Sequence, residues 1–297
     1  MYFNSMQWIF LAIFSAFFTA LRYLYIKRWC VELPAELMIF STRLFGACIM
    51  LPFAMLSRPG ISDVPLFSCI LTVTVLVTMA ATIAQIRIIQ TRAISRSVPY
   101  LSLTPLFMIP WTMLFFREIP RPAAFIGIIL CCSGAYILNI RNRGSLFLPI
   151  KALVLDGRLR IMLVSAAGLG LTTACDRIAI ESSSAMTYSF AWSCASTIVM
   201  FCFLARYAFA DIKRYVVCRH TFAQAVFWAC AFVFQMTAVQ KAAGIPSGVT
   251  YVKTLTLFNV LLTVVFGGRL FNEGRLRQSI LASVLMVAGA TITLLFK

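Results

Sequence analysis

Charged side chains and histidines are scarce in this sequence of 297 residues. Only 12% of the residues are charged, and His220 is the single histidine. With 61% hydrophobic residues and a mean hydropathy of +0.92, the chain carries more apolar surface than a soluble core of this size could bury. The composition therefore excludes a soluble globular protein and predicts a polytopic membrane protein in contact with the lipid bilayer.

Catalytic and cofactor-binding motifs are also missing. The sequence has no His-Glu-x-x-His zinc motif, no paired aspartates inside an apolar run and no Gly-x-x-x-x-Gly-Lys-Ser/Thr phosphate loop. Its ten cysteines show neither Cys-x-x-Cys nor Cys/His ligand spacing. We therefore predict that the protein is not an enzyme, does not hydrolyse ATP, and uses no metal or other cofactor.

Long apolar runs fill nearly the whole chain. Each is about 18–25 residues long, enough for a helix to cross a hydrocarbon layer of about 30 Å. The runs are residues 6–26, 35–57, 65–89, 99–116, 123–140, 161–180, 185–205, 222–239, 246–268 and 279–296. The sequence thus predicts an all-α protein with ten transmembrane helices, in which any activity resides within the helix bundle.

The net charge of +17 would suggest nucleic-acid binding in a soluble protein. In a membrane protein, lysines and arginines are instead counted separately for the connectors on each side of the membrane. The connectors beginning with Lys27 and Arg28 hold sixteen lysines and arginines, whereas those on the opposite side hold six. Because positive residues accumulate in the cytoplasm, both termini are predicted outside the cytoplasm, in a multi-pass protein of the plasma (inner) membrane. No nucleic-acid partner is predicted.

The second half of the chain resembles a copy of the first at an offset of 150 to 155 residues. The collinear matches are Thr19 to Arg22 with Thr173 to Asp176, Gln85 and Gln90 with Gln235 and Gln240, Val98 and Tyr100 with Val249 and Tyr251, and Ser133-Gly134-Ala135 with Ala288-Gly289-Ala290. Five helices per copy is an odd number, so the second copy enters the membrane from the opposite side. We predict two inverted repeats, residues 1–140 and 161–297, joined by a basic linker, residues 141–160.

Several of these segments resemble a known family. Residues 100–107, 116–118 and 123–134 are similar to the repeat of the EamA branch of the drug/metabolite transporter superfamily, and residues 251–258, 272–274 and 287–289 are its second occurrence. The resemblance covers residues 6–296. It implies a central cavity lined by helices 1, 3, 4, 6, 8 and 9, with helices 2 and 7 gating and helices 5 and 10 peripheral. Many members keep both termini in the cytoplasm, which departs from the charge count here.

Lys253 is the strongest candidate for solute binding. It lies eight residues into an apolar run, where a charge costs about 2.5–3.5 kcal/mol, so it is expected to face protein or a water-filled cavity. Related nucleotide-sugar and sugar-phosphate carriers often place a lysine at a comparable point of helix 9. The alternatives are a structural ion pair with Asp176 or a side chain that reaches the outer interface. Asp176 itself is predicted to pair with Lys253 or to carry a proton.

Three arginines also lie inside apolar runs. Arg43 stands where the EamA family often has an arginine in its second helix, and its alternative role is to bind backbone carbonyls of a kinked neighbour. Arg22 and Arg87 lie nearer the cytoplasmic ends of their helices, where long side chains commonly reach the interface. All three are candidates for direct contact with the solute.

Neutral polar side chains complete the predicted site. Gln85, Gln235, Tyr100, Thr104 and Tyr251 lie on helices that should line the cavity, and they also suit hydrogen bonding between membrane helices. Trp192 is expected to pack.

These residues favour a secondary transporter that moves an anionic or phosphate-bearing small molecule by alternating access. The alternative is an exporter or importer of amino acids or of other neutral, zwitterionic or drug-like compounds. A channel or receptor is disfavoured by the duplicated inverted halves. The sequence leaves a homodimer open.

Overall fold

The computed structural model describes residues 2–56, 60–91, 101, 103–119, 121–138, 157–204, 216, 218–270 and 276–295. These described residues are 90% helical and contain no strand. Eleven helices are described: α1 (Tyr2–Trp29), α2 (Ala35–Leu56), α3 (Val64–Thr91), α4 (Thr104–Phe116), α5 (Pro122–Leu138), α6 (Gly157–Glu181), α7 (Ala185–Leu204), α8 (Arg219–Ala242), α9 (Gly248–Thr256), α10 (Phe258–Leu270) and α11 (Leu276–Leu295).

Seven segments of the described chain are long and apolar enough to cross a membrane. They fall in α1, α2, α3, α6, α7 and α8, and in the segment Gly248–Leu270, which contains both α9 and α10. Two shorter apolar helices, Thr104–Phe116 and Pro122–Gly134, accompany them. The predicted all-α, multi-pass membrane fold is confirmed at this level. α6 begins at Gly157, so the last four residues of the predicted linker are helical.

Local sequence explains where several helices begin and end. α4 begins with Pro105 in its first turn, a place that needs no amide donor. It ends at Arg117, whose φ of 55° is left-handed and whose N–H donates to the carbonyl of Met113. The predicted helix 9 is two helices, because the chain breaks at Leu257 between α9 and α10. Pro246, the first residue of the predicted run, lies in the turn before α9.

Helices of the two halves pack against each other in matched pairs. α1 packs on α8, and α3 packs on α6 in the same way; α2 packs on α7, and α5 on α11. α4 lies against α6, just as α9 and α10 lie against α1. Since most of these contacts join one half to the other, the space at the centre of the bundle is enclosed by both halves.

The α5–α11 contact depends on two glycines that the repeat had aligned. A Cβ added to Gly134 would lie 2.8 Å from the carbonyl oxygen of Ala282, and one added to Gly289 would lie 2.6 Å from the carbonyl oxygen of Gly127. The two backbones therefore touch directly at both glycines, the usual device for close packing of membrane helices.

Candidate functional site

A cavity of about 160 Å³ lies at the centre of the bundle. Its walls come from α1, α3, α4, α6, α8, α9 and α10, together with one side chain each from α2 and α7. In the described part of the chain, α5 and α11 contribute nothing to the wall. This arrangement agrees with the cavity that the family resemblance implies. Three basic side chains and one acidic side chain line it: Arg22, Arg43, Lys253 and Asp176.

Arg43 is the most deeply buried of the cavity's cations, with 1% of its surface exposed. Its guanidinium carbon lies 4.0 Å from the ring centre of Trp228 and 4.9 Å from that of Trp192. Its Nε and Nη1 atoms find no hydrogen-bond partner among the described residues. Cation–π contacts therefore fix the group in place without neutralising its charge.

Arg22 is held by a chain of hydrogen bonds across three helices. Its Nε donates to Oε1 of Gln224 over 3.3 Å, and Nε2 of Gln224 donates both to the carbonyl oxygen of Met38 and to the hydroxyl of Thr42. Gln224 is fully buried, so the network is shielded from water. The Nη2 atom of Arg22 has no partner within the described chain. The network thus orients Arg22 while leaving part of its guanidinium free.

Asp176 is hydrogen-bonded to a tyrosine of the neighbouring helix. The hydroxyl of Tyr188 donates to Oδ1 of Asp176 and also lies 3.1 Å from the hydroxyl of Thr74. This contact joins α6 and α7 of the second half to α3 of the first half. A carboxylate fixed by a buried hydroxyl has one oxygen in a defined place and its other oxygen available to a neighbour or a solute.

Lys253 reaches the cavity from α9, one turn before the break at Leu257. The hydroxyl of Thr256 donates to the carbonyl of Lys253 over 2.7 Å at this break. Lys253 and Asp176 interact electrostatically, but no ion pair within 4.0 Å joins them in the described structure. Interrupted helices near a solute cavity are typical of carriers, because they release backbone groups where the cavity can use them.

The other predicted side chains divide into two groups. Gln85, Gln235 and Thr104 line the cavity; Nε2 of Gln85 has no described partner, and the hydroxyl of Thr104 donates to the carbonyl of Leu101. Tyr251 is buried but is not part of this wall. Tyr100 lies outside the described residues.

Arg87 does not reach the cavity. Its side chain is 61% exposed, and its Nη2 pairs with Oε1 of Glu36 on α2. Arg87 lies near the end of α3, where its long side chain turns away from the centre of the bundle, so its contact with the solute stays a prediction.

Sequence reasoning missed the aromatic wall. Trp192, expected to pack, lines the cavity together with Trp228 and Phe232, whose rings lie 4.9 to 5.9 Å apart. A weak signal was present at Gly46, one turn after Arg43. A Cβ at this position would come within 2.5 Å of the ring of Trp228.

A polar network lies at the end of the bundle where α4, α6 and α8 terminate, here called the Glu118 end. Arg177 donates to Glu118 over 2.8 Å, to Glu181 over 2.7 Å and to the carbonyl of Ala243 over 3.2 Å. Glu118 also accepts from the backbone N–H of Ser247 over 2.7 Å. At this end, Glu118, which follows α4, and Arg177 of α6 are therefore tied to the turn between α8 and α9.

Comparisons with known proteins agree with this architecture. Among solved structures, 27 chains match this one. One of them, described only as "Crystal structure of protein", superposes with a TM-score of 0.65 at 13% sequence identity. The match covers 96% of this chain and 97% of the other. At that identity the likeness concerns the fold alone. No curated protein matches the sequence.

The family model of the EamA-like transporter family matches residues 6–140. This region contains α1 to α5 and the motifs at residues 100–107, 116–118 and 123–134, so the resemblance read from those residues is confirmed there. The chain is therefore a multi-pass membrane protein whose residues 6–140 match the EamA-like transporter family, which is consistent with a member of the drug/metabolite transporter superfamily.

Proposed function

We propose that the protein is a secondary transporter of the plasma membrane that moves a small anionic metabolite by alternating access. The observation that carries the proposal is the central cavity, which is enclosed by both halves of the chain and lined by three cations and one carboxylate. Buried charge is costly unless it is compensated, so a cavity with excess positive charge favours an anion as its occupant. The proposal requires no cofactor, nucleic acid or second protein chain, and a homodimer is compatible with it.

The proposed mechanism rests on two inverted five-helix repeats, residues 1–140 and 161–297. Exchanging the halves turns the α1–α8 contact into the α6–α3 contact and leaves the α2–α7 and α5–α11 contacts in place. Such exchange symmetry supports two related halves that rock about a shared site. With both termini outside, the Glu118 end would face away from the cytoplasm.

The size of the cavity narrows the choice of solute. A space of 160 Å³ holds on the order of ten water molecules. This volume favours a small organic acid or a small phosphate compound over a nucleotide-sized molecule. Asp176 on the same wall favours one alternative, a zwitterionic amino acid whose ammonium group would bind its carboxylate.

Counterflow in proteoliposomes tests the proposal. Vesicles containing the purified protein are loaded with unlabelled small carboxylates, sugar phosphates or amino acids, one class at a time, and the uptake of a labelled member of each class is measured. A carrier predicts saturable uptake that is stimulated by internal solute. Linear flux without saturation would instead indicate a channel, and saturable uptake of amino acids alone would select the alternative.

Lysine substitutions provide the matched comparison. Lys253→Met removes a cavity cation, whereas Lys241→Met removes an exposed lysine at the end of α8. For an anionic solute we expect Lys253→Met to lower counterflow at least tenfold, because it leaves the carboxylate of Asp176 in the cavity without the opposite charge of Lys253, and Lys241→Met to leave it unchanged. Equal activity of both variants and the wild type would contradict a role of Lys253 in transport.

A further inference from the structure

We infer that Arg22 and Arg43 together form an oxyanion subsite, which binds a carboxylate or phosphoryl group of the solute. The inference rests on the proposed function and deepens it, because it assigns the anion to these two arginines and not to Lys253. Carboxylate and phosphoryl groups share the relevant chemistry, because each is an oxygen anion able to accept several N–H bonds at once. The two possible sources of that group are separated by the experiment below.

Arg43 is buried with donors that have no acceptor. Its side chain is 1% exposed, and two of its nitrogens lack a hydrogen-bond partner in the described structure. A buried donor without an acceptor is costly, and a buried charge without a partner is more so. An oxyanion in the cavity would supply the acceptors that the described residues do not.

Arg22 also has a buried donor without an acceptor. Its Nη2 is also buried and without a partner among the described residues, and Gln224 fixes the guanidinium through Nε. The two arginines line one cavity and repel each other electrostatically. Two fixed guanidinium groups with free N–H donors match a carboxylate or phosphate, which accepts such bonds in pairs.

Lys253 differs from these arginines because an opposite charge lies nearby: Asp176 interacts with it electrostatically, although no ion pair within 4.0 Å joins the two in the described structure. Among the described residues, the unpartnered nitrogens of Arg22 and Arg43 find no acceptor. These nitrogens are therefore available to an anion from outside the protein.

The tryptophans complete the subsite. Trp228 and Trp192 hold Arg43 at 4.0 and 4.9 Å without taking up any of its N–H donors. The guanidinium is thus held in position before the anion arrives, and binding loses little side-chain entropy.

Thermal unfolding of the purified full-length protein in a nonionic detergent tests the subsite. The probes are inorganic phosphate and sodium acetate, each compared with sodium chloride at the same ionic strength. A ligand at ten times its Kd raises the folded-to-unfolded ratio about elevenfold, and the melting temperature rises with it. We expect this rise with phosphate, with acetate or with both, and the anion that acts identifies the group.

Glutamine variants show where the anion binds. Arg43→Gln and Arg22→Gln should abolish the anion-dependent rise. Arg28→Gln should keep it, since Arg28 also lies over a tryptophan, Trp29, at 5.6 Å but outside the cavity. If a glutamine variant fails to fold, Arg43→Lys and Arg22→Lys replace it; they keep the charge but lose the paired N–H donors, and should weaken the rise.

Two outcomes would overturn the inference: no rise with either anion in the wild type, or an undiminished rise in the Arg43 and Arg22 variants. Anion binding by the wild type without counterflow would refute transport and leave the subsite standing. Counterflow of an anion together with an undiminished rise in both variants would refute the subsite and leave transport standing.

Discussion

Replacing Glu118 with glutamine should loosen the contact that joins the two halves at the Glu118 end. The carboxylate accepts two hydrogen bonds on one oxygen, from Arg177 over 2.8 Å and from the N–H of Ser247 over 2.7 Å. Glutamine has nearly the same shape but no charge. The substitution therefore removes the electrostatic part of both bonds without creating a cavity.

The magnitude follows from burial. The side chains of Arg177 and Glu118 are 8% and 19% exposed, so solvent screens their attraction little. Hydrogen bonds to charged groups contribute about 1.5–3 kcal/mol each. Because the glutamine oxygen can still accept both bonds, only the part of each bond that depends on the negative charge is lost, and we expect a total loss of about 1.5–3 kcal/mol. Ser247 adds to the effect, since its φ of 58° is an uncommon conformation that the bond to Glu118 helps to hold.

Glu181→Gln is the matched control. Glu181 binds the same arginine over 2.7 Å, but its side chain is 43% exposed and it lies one turn away on the same helix. Exposed pairs of this spacing contribute about 0.3–0.5 kcal/mol. Removing the same charge from Glu181 should therefore cost several times less than removing it from Glu118.

Thermal unfolding in detergent measures the difference, with all variants scanned at one rate because membrane proteins of this size often unfold irreversibly. In soluble domains of 150–250 residues, each kcal/mol lowers the melting temperature by about 2–4 °C. A double-mutant cycle with Arg177→Met isolates the pair itself. Equal melting temperatures for Glu118→Gln and Glu181→Gln would refute the view that the Glu118–Arg177 contact stabilises this end.

Two further predictions concern contacts between helices. Gly289→Ala should lower the free energy of unfolding by about 1–3 kcal/mol, and the melting temperature with it, because the added Cβ would lie 2.6 Å from the backbone of α5. Gly60→Ala should leave the stability unchanged, because nothing lies within 4 Å of the added Cβ. Unfolding scans check both. Tyr188→Phe removes the donor to Asp176 and should lower the free energy of unfolding by about 1–3 kcal/mol. Tyr25→Phe should lower it less, because the hydroxyl of Tyr25 is only partly buried. Equal losses in the two variants would contradict a special role of the Tyr188–Asp176 bond.

The charged residues of the candidate site were predicted from their positions inside apolar runs. Arg43, Lys253 and Asp176 were selected because a charge in hydrocarbon must face protein or water, and all three line the cavity. The same rule selected Arg87, which lies outside the cavity in a pair with Glu36. Depth along a helix can be read from sequence, but the direction of a long side chain at a helix end depends on its neighbours.

The sequence could not show which of the candidate charges have a partner in the folded protein. Lys253 was placed first because of its depth, yet Asp176 lies near enough to interact with it, while two nitrogens of Arg43 find no acceptor in the described part of the chain. Gln224 and the aromatic wall were missed because a buried glutamine or tryptophan in an apolar run looks like packing. The role of Gln224 depends on Arg22 and Thr42, which lie 202 and 182 positions away along the chain.

The sequence by itself determined that this protein is a helical membrane protein with an EamA-like first half, because hydrophobic length and motif spacing are properties of the chain. Apolar length decides how many residues can cross a bilayer, whatever their neighbours. Only the tertiary structure decided which charges share the cavity and which are compensated. Burial, hydrogen bonding and cation–π contact are relations between helices, and they arise only when the two halves pack together.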